Sequence, residues 1–308
     1  MKPVLLVGNG INRCEGGSGY PSWDNLLESI GNDLFSQTAP TNSQLLKYEQ
    51  LICHAMTISA SSSISKRIEK RLRTLDTITA DKGSLHARIW DTGITTVLTT
   101  NYDYSLERGL QSSHEFTSDN WKKHGYNETV ASKYRHKRIG EHRVYHIHGE
   151  LDLFKTVCLG QIHYATNLMR IMEALDEPKA DGSERDDFKL RSSLFDNTDA
   201  EVKTWAEYFF THDLYILGLS MAESDFDLWW LISYWAKLYG EGSLPKQNEI
   251  FFFDVREDPK PSAIETVLEK LHVTVLPQTV QNGDWRQAYA HCIALIGERI
   301  VSSSKEHD

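Results

Sequence analysis

Six short apolar runs, each followed by a helical pattern, constrain the fold of this chain more than any other feature of its sequence. The runs begin at Pro3, Thr95, Arg143, His212, Glu249 and Val273. Short runs of apolar, β-branched and aromatic residues are typical of buried strands. Strands that alternate with helices predict an α/β, Rossmann-like protein, with a mostly parallel sheet of about six strands and helices on both faces.

A polar side chain stands at the carboxyl end of nearly every predicted strand. These residues are Asn12, Asn101, His148, Ser220 and Asp254. In an open parallel sheet, ligands bind outside the carboxyl ends of the strands, at the point where the strand order reverses. We therefore expect these side chains to meet at one edge of the sheet, with a dinucleotide lying across them.

Residues 95–103 show this pattern most clearly, because a buried run ends in Thr99, Thr100, Asn101, Tyr102 and Asp103. A simpler interpretation is that the Asn and Asp side chains only cap the helix that follows. The recurrence of polar residues at the same end of other strands favours a ligand site for Asn101. For Asp103 we favour the capping role.

The first predicted strand ends in the turn Gly8-Asn9-Gly10. Glycines at such a turn let the backbone bend sharply and approach a phosphate closely. A third glycine is absent where the next helix would begin, so the turn matches only part of the dinucleotide fingerprint.

His148 is the candidate base, because it stands at the tip of a predicted strand and histidine titrates closest to neutral pH. Strand alternation places His146 on the same face. A metal site built from these two residues and His142 is the less favoured alternative, since no carboxylate or cysteine completes it. We expect no metal.

Composition bounds the remaining possibilities. The chain has 308 residues, of which 40% are hydrophobic and 25% charged, as in a globular protein. It contains no apolar run of roughly 18 to 20 residues that could span a bilayer, and it does not begin with a signal-peptide pattern. Its four scattered cysteines form no C-x-x-C pair. We expect a cytoplasmic protein that does not bind a membrane.

The net charge of -10 argues against direct nucleic-acid binding, which depends on clustered Lys and Arg. One basic stretch, residues 133–138, departs from this average. We interpret it as a solvated loop or a contact with a partner.

The segments between the strands predict one domain over residues 1–308 with two helical insertions, at about 38–90 and 165–210. The second insertion ends in a predicted amphipathic helix, residues 201–210. Residues 111–141 show little periodicity and predict an irregular or hairpin segment. The aromatic helix at 226–238 is suited either to a subunit interface or to the core.

Taken together, these motifs resemble those of the SIR2-like (sirtuin-fold) family. The matching residues are Gly8 to Asn12, Thr99 to Asp103, His148-Gly149, and Gly218-Leu219-Ser220 with Asp225 and Asp227. Sirtuin deacylases hold a structural zinc with two C-x-x-C pairs, which this sequence lacks, so protein deacylation is not favoured. The chain is more similar to the bacterial SIR2-like NAD hydrolases of antiphage defence, which deplete NAD+.

The resemblance implies roles for individual residues. Asn101 and His148 would be catalytic, and NAD+ would be the substrate. The residues implied in binding are Gly8, Asn9, Gly10, Asn12, Thr100, Asp103, Gly218, Ser220 and Asp254. The resemblance also implies a homo-oligomer or a complex with a second defence protein, such as a sensor or ATPase-like subunit. The alternative is a subunit that binds NAD or a related nucleotide without cleaving it.

Overall fold

The buried strand patterns form a central sheet in the computed structural model. The structure describes residues 2–17, 20–21, 25–28, 43–57, 61–114, 122–124, 135–177, 188–195 and 204–305. The strands are β1 (Val4–Val7), β2 (Thr96–Thr99), β3 (Lys122–His124), β4 (His136–Ile139), β5 (His142–His146), β6 (Leu214–Leu217), β7 (Ile250–Arg256) and β8 (Thr274–Thr279). They lie in the order β3-β4-β5-β2-β1-β6-β7-β8.

The six strands predicted from the sequence are the parallel ones. From β5 to β8, every neighbouring pair in the sheet runs parallel. Counted along the chain, these six strands stand in the order 3-2-1-4-5-6, which is the order of dinucleotide-binding doubly wound sheets. The strand order therefore reverses between β1 and β6, and a ligand site is expected where these two strands end.

Two further strands extend the sheet beyond the predicted six. β3 pairs antiparallel with β4, and β4 pairs antiparallel with β5. Both additions lie in the part of the chain for which the sequence predicted an irregular or hairpin segment, so the hairpin interpretation is confirmed. The count of about six strands was too low because this edge carries little apolar periodicity.

Helices cover both faces of the sheet. The α-helices are α1 (Asn9–Glu15), α2 (Gln44–Thr57), α3 (Ser61–Arg73), α4 (Leu85–Asp91), α5 (Ser105–His114), α6 (Gln161–Leu175), α7 (Tyr208–Thr211), α8 (Phe226–Gly240), α9 (Ala263–Lys270) and α10 (Trp285–Lys305). Turns of 3-10 helix occupy Leu151–Thr156, Ser192–Leu194 and Trp205–Glu207. Strand alternation divides the core in two: Val4 and Leu6 face one cluster, whereas Leu5 and Val7 face the other.

The segment predicted as the first helical insertion contains α2 and α3, on either side of residues 58–60. Leu51, Ile64, Ile68 and Leu72 from these helices form a separate apolar cluster with the segment around Leu151. Residues 38–42 of this insertion lie outside the described residues. The insertion therefore packs beside the sheet rather than within it.

The predicted amphipathic helix at 201–210 is wrong. Residues 201–203 lie outside the described residues, and the rest forms one 3-10 turn followed by the short helix α7. Every residue from Trp205 to Thr211 is buried, so the segment has no polar face. Of the second insertion, residues 178–187 and 196–203 are not described, and α6 is its principal helix.

The aromatic residues of α8 pack largely within the chain. Trp235 is fully buried, and Trp230 stacks on Tyr234 with ring centroids 5.5 Å apart. The Phe188 ring meets both of those rings edge-on. These contacts pack the α8 rings against the core, although Trp230 and Tyr234 are only partly buried.

Candidate functional site

A cavity of about 450 Å³ opens at the carboxyl ends of β1, β2 and β6, where the strand order reverses. Its size is typical of small-molecule sites, which measure roughly 300–1,000 Å³. Eight of the eleven residues predicted from the sequence line it. They are Asn9, Gly10, Thr100, Asn101, Asp103, His148, Gly218 and Ser220. The topology thus brings together side chains that are more than 200 positions apart in the chain.

Asn101 is held in place on three sides. Its backbone amide donates to Thr99 Oγ1 (3.1 Å), and its side-chain Nδ2 donates to the carbonyl of Gly8 (3.2 Å). Its own carbonyl accepts from His146 Nδ1 at 2.7 Å. The residue is buried yet lines the cavity. Its amide side chain therefore bridges the ends of β1 and β2.

His148 follows β5 and presents its ring to the same cavity. Gly149, at φ +96°, turns the chain away immediately after it. The ring contacts Asp227 Oδ2 through Nε2 at 3.0 Å, and Nδ1 lies 3.3 Å from the hydroxyl of Tyr164. Burial alone would lower the pKa of His148, but the Asp227 charge and hydrogen bond, with Asp225, raise it above the ordinary value.

Asp227 is the principal site residue whose role sequence reasoning missed. It is fully buried on α8, and the motif was recognised without a function for its carboxylate. Asn167 Nδ2 on α6 donates to Asp227 Oδ2 (2.7 Å), and the amide of Leu228 donates to Oδ1 (2.9 Å). Asp225 lies nearby, and burial raises the pKa of its carboxyl to about 6. No local sequence signal could have paired Asn167 with this aspartate, because they are 60 residues apart.

His146 contacts Asn101 on the side away from the cavity and does not line the cavity itself. Besides donating to Asn101, its ring contacts Glu107 Oε1 through Nε2 at 2.9 Å. Burial opposes a charged ring, but the Glu107 carboxylate raises the pKa of His146. Burial likewise opposes a charged Glu107, but His146 and Lys137 lower the pKa of this carboxyl to about 2. Each of these two buried groups therefore favours the charged form of the other.

The basic stretch at 133–138 is not a solvated loop where the structure describes it. Arg135 is almost completely buried and pairs with Glu150 (2.7 Å), while Lys137 lies between Glu107 (3.6 Å) and Glu150 (3.7 Å). The ammonium of Lys137 also lies 3.2 Å from the centroid of the Tyr104 ring. Lys133 and Tyr134 lie outside the described residues. The alternation of β4 turns the two buried cations inward, toward buried carboxylates.

Gly8 and Gly10 have a structural role that the phosphate interpretation did not anticipate. Their amides donate to the carbonyls of Leu217 (2.9 Å) and Gly218 (2.8 Å), so these two donors are already engaged. A Cβ atom on Gly8 would lie 2.5 Å from the Gly218 carbonyl oxygen. The glycines therefore let the end of β1 approach the end of β6 and bring Asn9 to the cavity wall.

Asn12 lies behind the cavity wall and does not line the cavity. It is completely buried, its Nδ2 donates to Asp103 Oδ2, and its Oδ1 accepts from His86 Nε2 at 2.7 Å. Burial lowers the pKa of His86 to about 3, so that ring is neutral. Asp103 Oδ1 accepts from the amide of Ser105, the first residue of α5, at 3.0 Å, so this carboxylate contacts the start of the helix for which the sequence predicted a cap.

Asp254 is the predicted residue that the structure does not bring to the others. Its carboxylate pairs with Arg256 (2.6 Å) and accepts from the Ser262 hydroxyl (2.8 Å). The adjacent Val255 lines the cavity in its place, because successive residues of a strand face opposite sides.

An apolar wall completes the cavity, and the sequence had not assigned it. Its residues are Leu26, Leu45, Leu72, Leu75 and Leu151. Most come from the helical insertion, whereas Trp285 and Tyr289 on α10 line the cavity from another side. The insertion therefore shapes the site, although its sequence carries no motif.

Two other kinds of site are absent from the described residues. Within that part of the chain, no group of three His, Cys, Asp or Glu side chains is arranged to hold a metal ion. Across the same residues, no helix combines the length and apolar character needed to cross a membrane.

Comparison with known proteins agrees with the motifs. A search of curated proteins finds no match. The family model of the SIR2-like domain matches residues 95–276, which is more than half of the chain and runs from β2 to β8. SIR2-like domains use NAD+, so the match indicates an NAD-related activity. The chain belongs to the SIR2-like domain family.

Proposed function

We propose that this protein is an NAD+ glycohydrolase, acting as one SIR2-like domain over residues 1–308, that cleaves NAD+ to nicotinamide and ADP-ribose. The observation that supports this proposal is the placement of Asn101 and His148 in one cavity at the reversal of the strand order. A neutral amide donates and accepts hydrogen bonds together, and a histidine transfers protons near neutral pH. Binding alone would not require a base.

Hydrolysis needs a positioned water and a route for its proton. In the proposed step the water oxygen bonds to C1′ of the ribose, and the N-glycosidic electron pair leaves with nicotinamide. His148 accepts the proton of the water, and Asn101 holds the water and the ribose hydroxyls. Thr100, Gly218 and Ser220, which also line the cavity, are proposed to contact the rest of the dinucleotide.

We propose that the activity serves bacterial antiphage defence in the cytoplasm, by depleting NAD+ on infection. Continuous NAD+ hydrolysis would harm the host cell, so the enzyme requires a gate. A homo-oligomer, or a complex with a second defence protein such as a sensor or ATPase-like subunit, would supply it. If α8 contributes to a homo-oligomer, Trp230→Glu will lower the molecular mass of the protein measured in solution. An unchanged molecular mass would show that activity is controlled through another surface.

The proposal is tested by incubating the protein with NAD+ and measuring nicotinamide, alone and with its genomic neighbours. Asn101→Ala and His148→Ala should each remove NAD+ loss, whereas His291→Ala, an exposed histidine on α10, should retain it. Circular dichroism should show that all three variants are folded.

Either of two results would contradict the proposal. If both site variants consume NAD+ at the wild-type rate, the catalytic assignment is wrong. If wild-type protein binds NAD+ by calorimetry but releases no nicotinamide with any partner, the alternative of a nucleotide-binding sensor subunit is correct.

A further inference from the structure

We propose that Asp227 and Asn167 are positioning residues that hold the His148 ring with a proton on Nε2 and leave Nδ1 as the atom that accepts a proton during hydrolysis. The inference rests on the proposed function for its chemistry. The protonation of the ring can nevertheless be tested in protein that turns over no substrate.

The hydrogen-bonding capacity of the buried Asp227 carboxylate determines which ring nitrogen of His148 carries the proton. An ionised carboxylate only accepts hydrogen bonds. Asp227 Oδ2 lies 3.0 Å from His148 Nε2, and it also accepts from Asn167 Nδ2 at 2.7 Å. A lone pair on Nε2 would face this oxygen without a hydrogen between them. The contact therefore requires the proton on Nε2, and a neutral ring keeps its lone pair on Nδ1.

The Asp227 carboxylate is also fixed in position. The Leu228 amide donates to Asp227 Oδ1 at 2.9 Å, so both oxygens are engaged. Asp227 is fully buried and Asn167 almost so. A carboxylate held by α6 and α8 together cannot rotate away from the ring without losing these bonds. An aspartate that orients a histidine in this way serves the same purpose in serine hydrolases.

The surroundings of His148 Nδ1 leave this atom able to accept a proton. This atom lies 3.3 Å from the hydroxyl of Tyr164, and both residues line the cavity. The contact is long, so a water or a ribose hydroxyl can replace it when substrate binds. The tyrosine ring meets the imidazole edge-on, with centroids 4.8 Å apart, and maintains the ring orientation when the hydroxyl contact is lost.

The charged groups that face His148 are Asp227 and Asp225, both from the start of α8. The other titratable groups beside this cluster are Tyr164, Tyr102 and Cys158. Burial raises the pKa of all three, so they are neutral near pH 7. The protonation of His148 is therefore governed by the two aspartates, and by Asp227 first because it contacts the ring.

In the balanced step, Nδ1 takes the proton of the attacking water while nicotinamide leaves with the electron pair of the broken bond. Asp227 stabilises the imidazolium that results, and the proton then passes from Nδ1 to solvent. Asp227→Asn removes this stabilisation and can place an N–H donor against Nε2, which favours the tautomer with Nδ1 protonated.

The kinetic test compares Asp227→Asn with wild type. We expect kcat to fall by about 10²- to 10⁴-fold, by analogy with the same substitution in hydrolase triads, with little change in KM. The acidic limb of the pH–rate profile should move to lower pH, because the base loses its carboxylate partner. Asn167→Ala, a milder variant, should lower kcat about tenfold. Asp213→Asn is the control. Asp213 directly precedes β6, at the end of that strand away from the cavity, and accepts from the Glu249 amide.

The decisive test is ¹⁵N NMR of histidine-labelled protein, with His148 assigned by His148→Gln. The inference predicts the Nε2–H tautomer when the ring is neutral, and titration at lower pH in Asp227→Asn. An Nδ1–H tautomer in wild type, or an unchanged titration in Asp227→Asn, would overturn it. If the predicted tautomer is found but wild type releases no nicotinamide, the proposed function fails and the positioning of His148 stands.

Discussion

The Nδ1 atom of His146 lies 2.7 Å from the backbone carbonyl oxygen of Asn101. Because a carbonyl only accepts, the histidine must donate, and its other nitrogen faces the buried carboxylate of Glu107 at 2.9 Å. The position of the proposed catalytic amide thus depends on an ion pair on the side away from the cavity.

His146→Leu should destabilise the fold by about 3–5 kcal/mol, because Glu107 would remain buried without its principal partner. The proposed NAD+ cleavage should also slow, since the Asn101 carbonyl loses its donor. Urea unfolding measures the first effect and nicotinamide release the second. His146→Leu with Glu107→Leu should recover part of the stability but not the rate; equal recovery of both would show that the histidine does not position Asn101.

The same pair predicts how stability depends on pH. The pKa of Glu107 is lowered to about 2 in the fold, so its contribution is present above its ordinary value of 4.5 and lost as pH falls through about 2. The pKa of His146 is raised, so its contribution is present below 6.5 and lost as pH rises through the raised value.

The stability difference between wild type and His146→Leu should therefore be largest between pH 4.5 and 6.5, the ordinary values of the two groups. It should shrink at alkaline pH. Urea midpoints at pH 5.5 and pH 9 provide the measurement, and His148 titrates in both proteins, so its effect largely cancels. A difference that does not decrease at pH 9 would show that His146 is not charged in the fold.

Arg135→Met should lower the unfolding free energy by about 3–5 kcal/mol, because it removes the buried guanidinium that lies 2.7 Å from the Glu150 carboxylate. Combining it with Glu150→Gln should restore much of the loss, since the uncompensated charge is gone. The matched control is Lys2→Met, whose partner Glu141 lies at a similar distance, 2.6 Å, but is exposed. That change should cost less than about 1 kcal/mol. Similar costs for both variants would contradict the buried position of Arg135.

Gly149→Ala should destabilise the protein by about 2–5 kcal/mol and displace His148. Its φ of +96° disfavours a side chain by about 1–2 kcal/mol, and the new Cβ would lie 2.2 Å from the Thr156 carbonyl oxygen, adding about 1–3 kcal/mol of overpacking. Gly93→Ala separates the two effects, because Gly93 has φ +85° with no atom within 4 Å of a Cβ. Gly93→Ala should lower the unfolding free energy only by the conformational cost of the positive φ. Thermal or urea unfolding measures this difference.

Local physics explains what could be predicted from the sequence. Most of the six parallel strands lie in short runs rich in apolar, β-branched or aromatic residues that alternate with helical patterns, so their existence follows from residues adjacent in the chain. Asn101 and His148 were identified as site residues because each ends such a strand. The cap at Asp103 likewise depends on a residue only two positions away, Ser105.

Tertiary structure decided which distant groups meet. His148 contacts Asp227 across 79 residues and His146 contacts Glu107 across 39. The basic stretch that includes Lys137 was interpreted as a solvated loop or a contact with a partner, yet β4 places Lys137 in a buried cluster of opposite charge. A charge becomes buried only where the fold supplies a partner that offsets its desolvation. Packing across the sheet determines which group becomes that partner. The fold therefore determined which charged groups are buried together at the site, whereas the sequence by itself determined which polar residues end the strands.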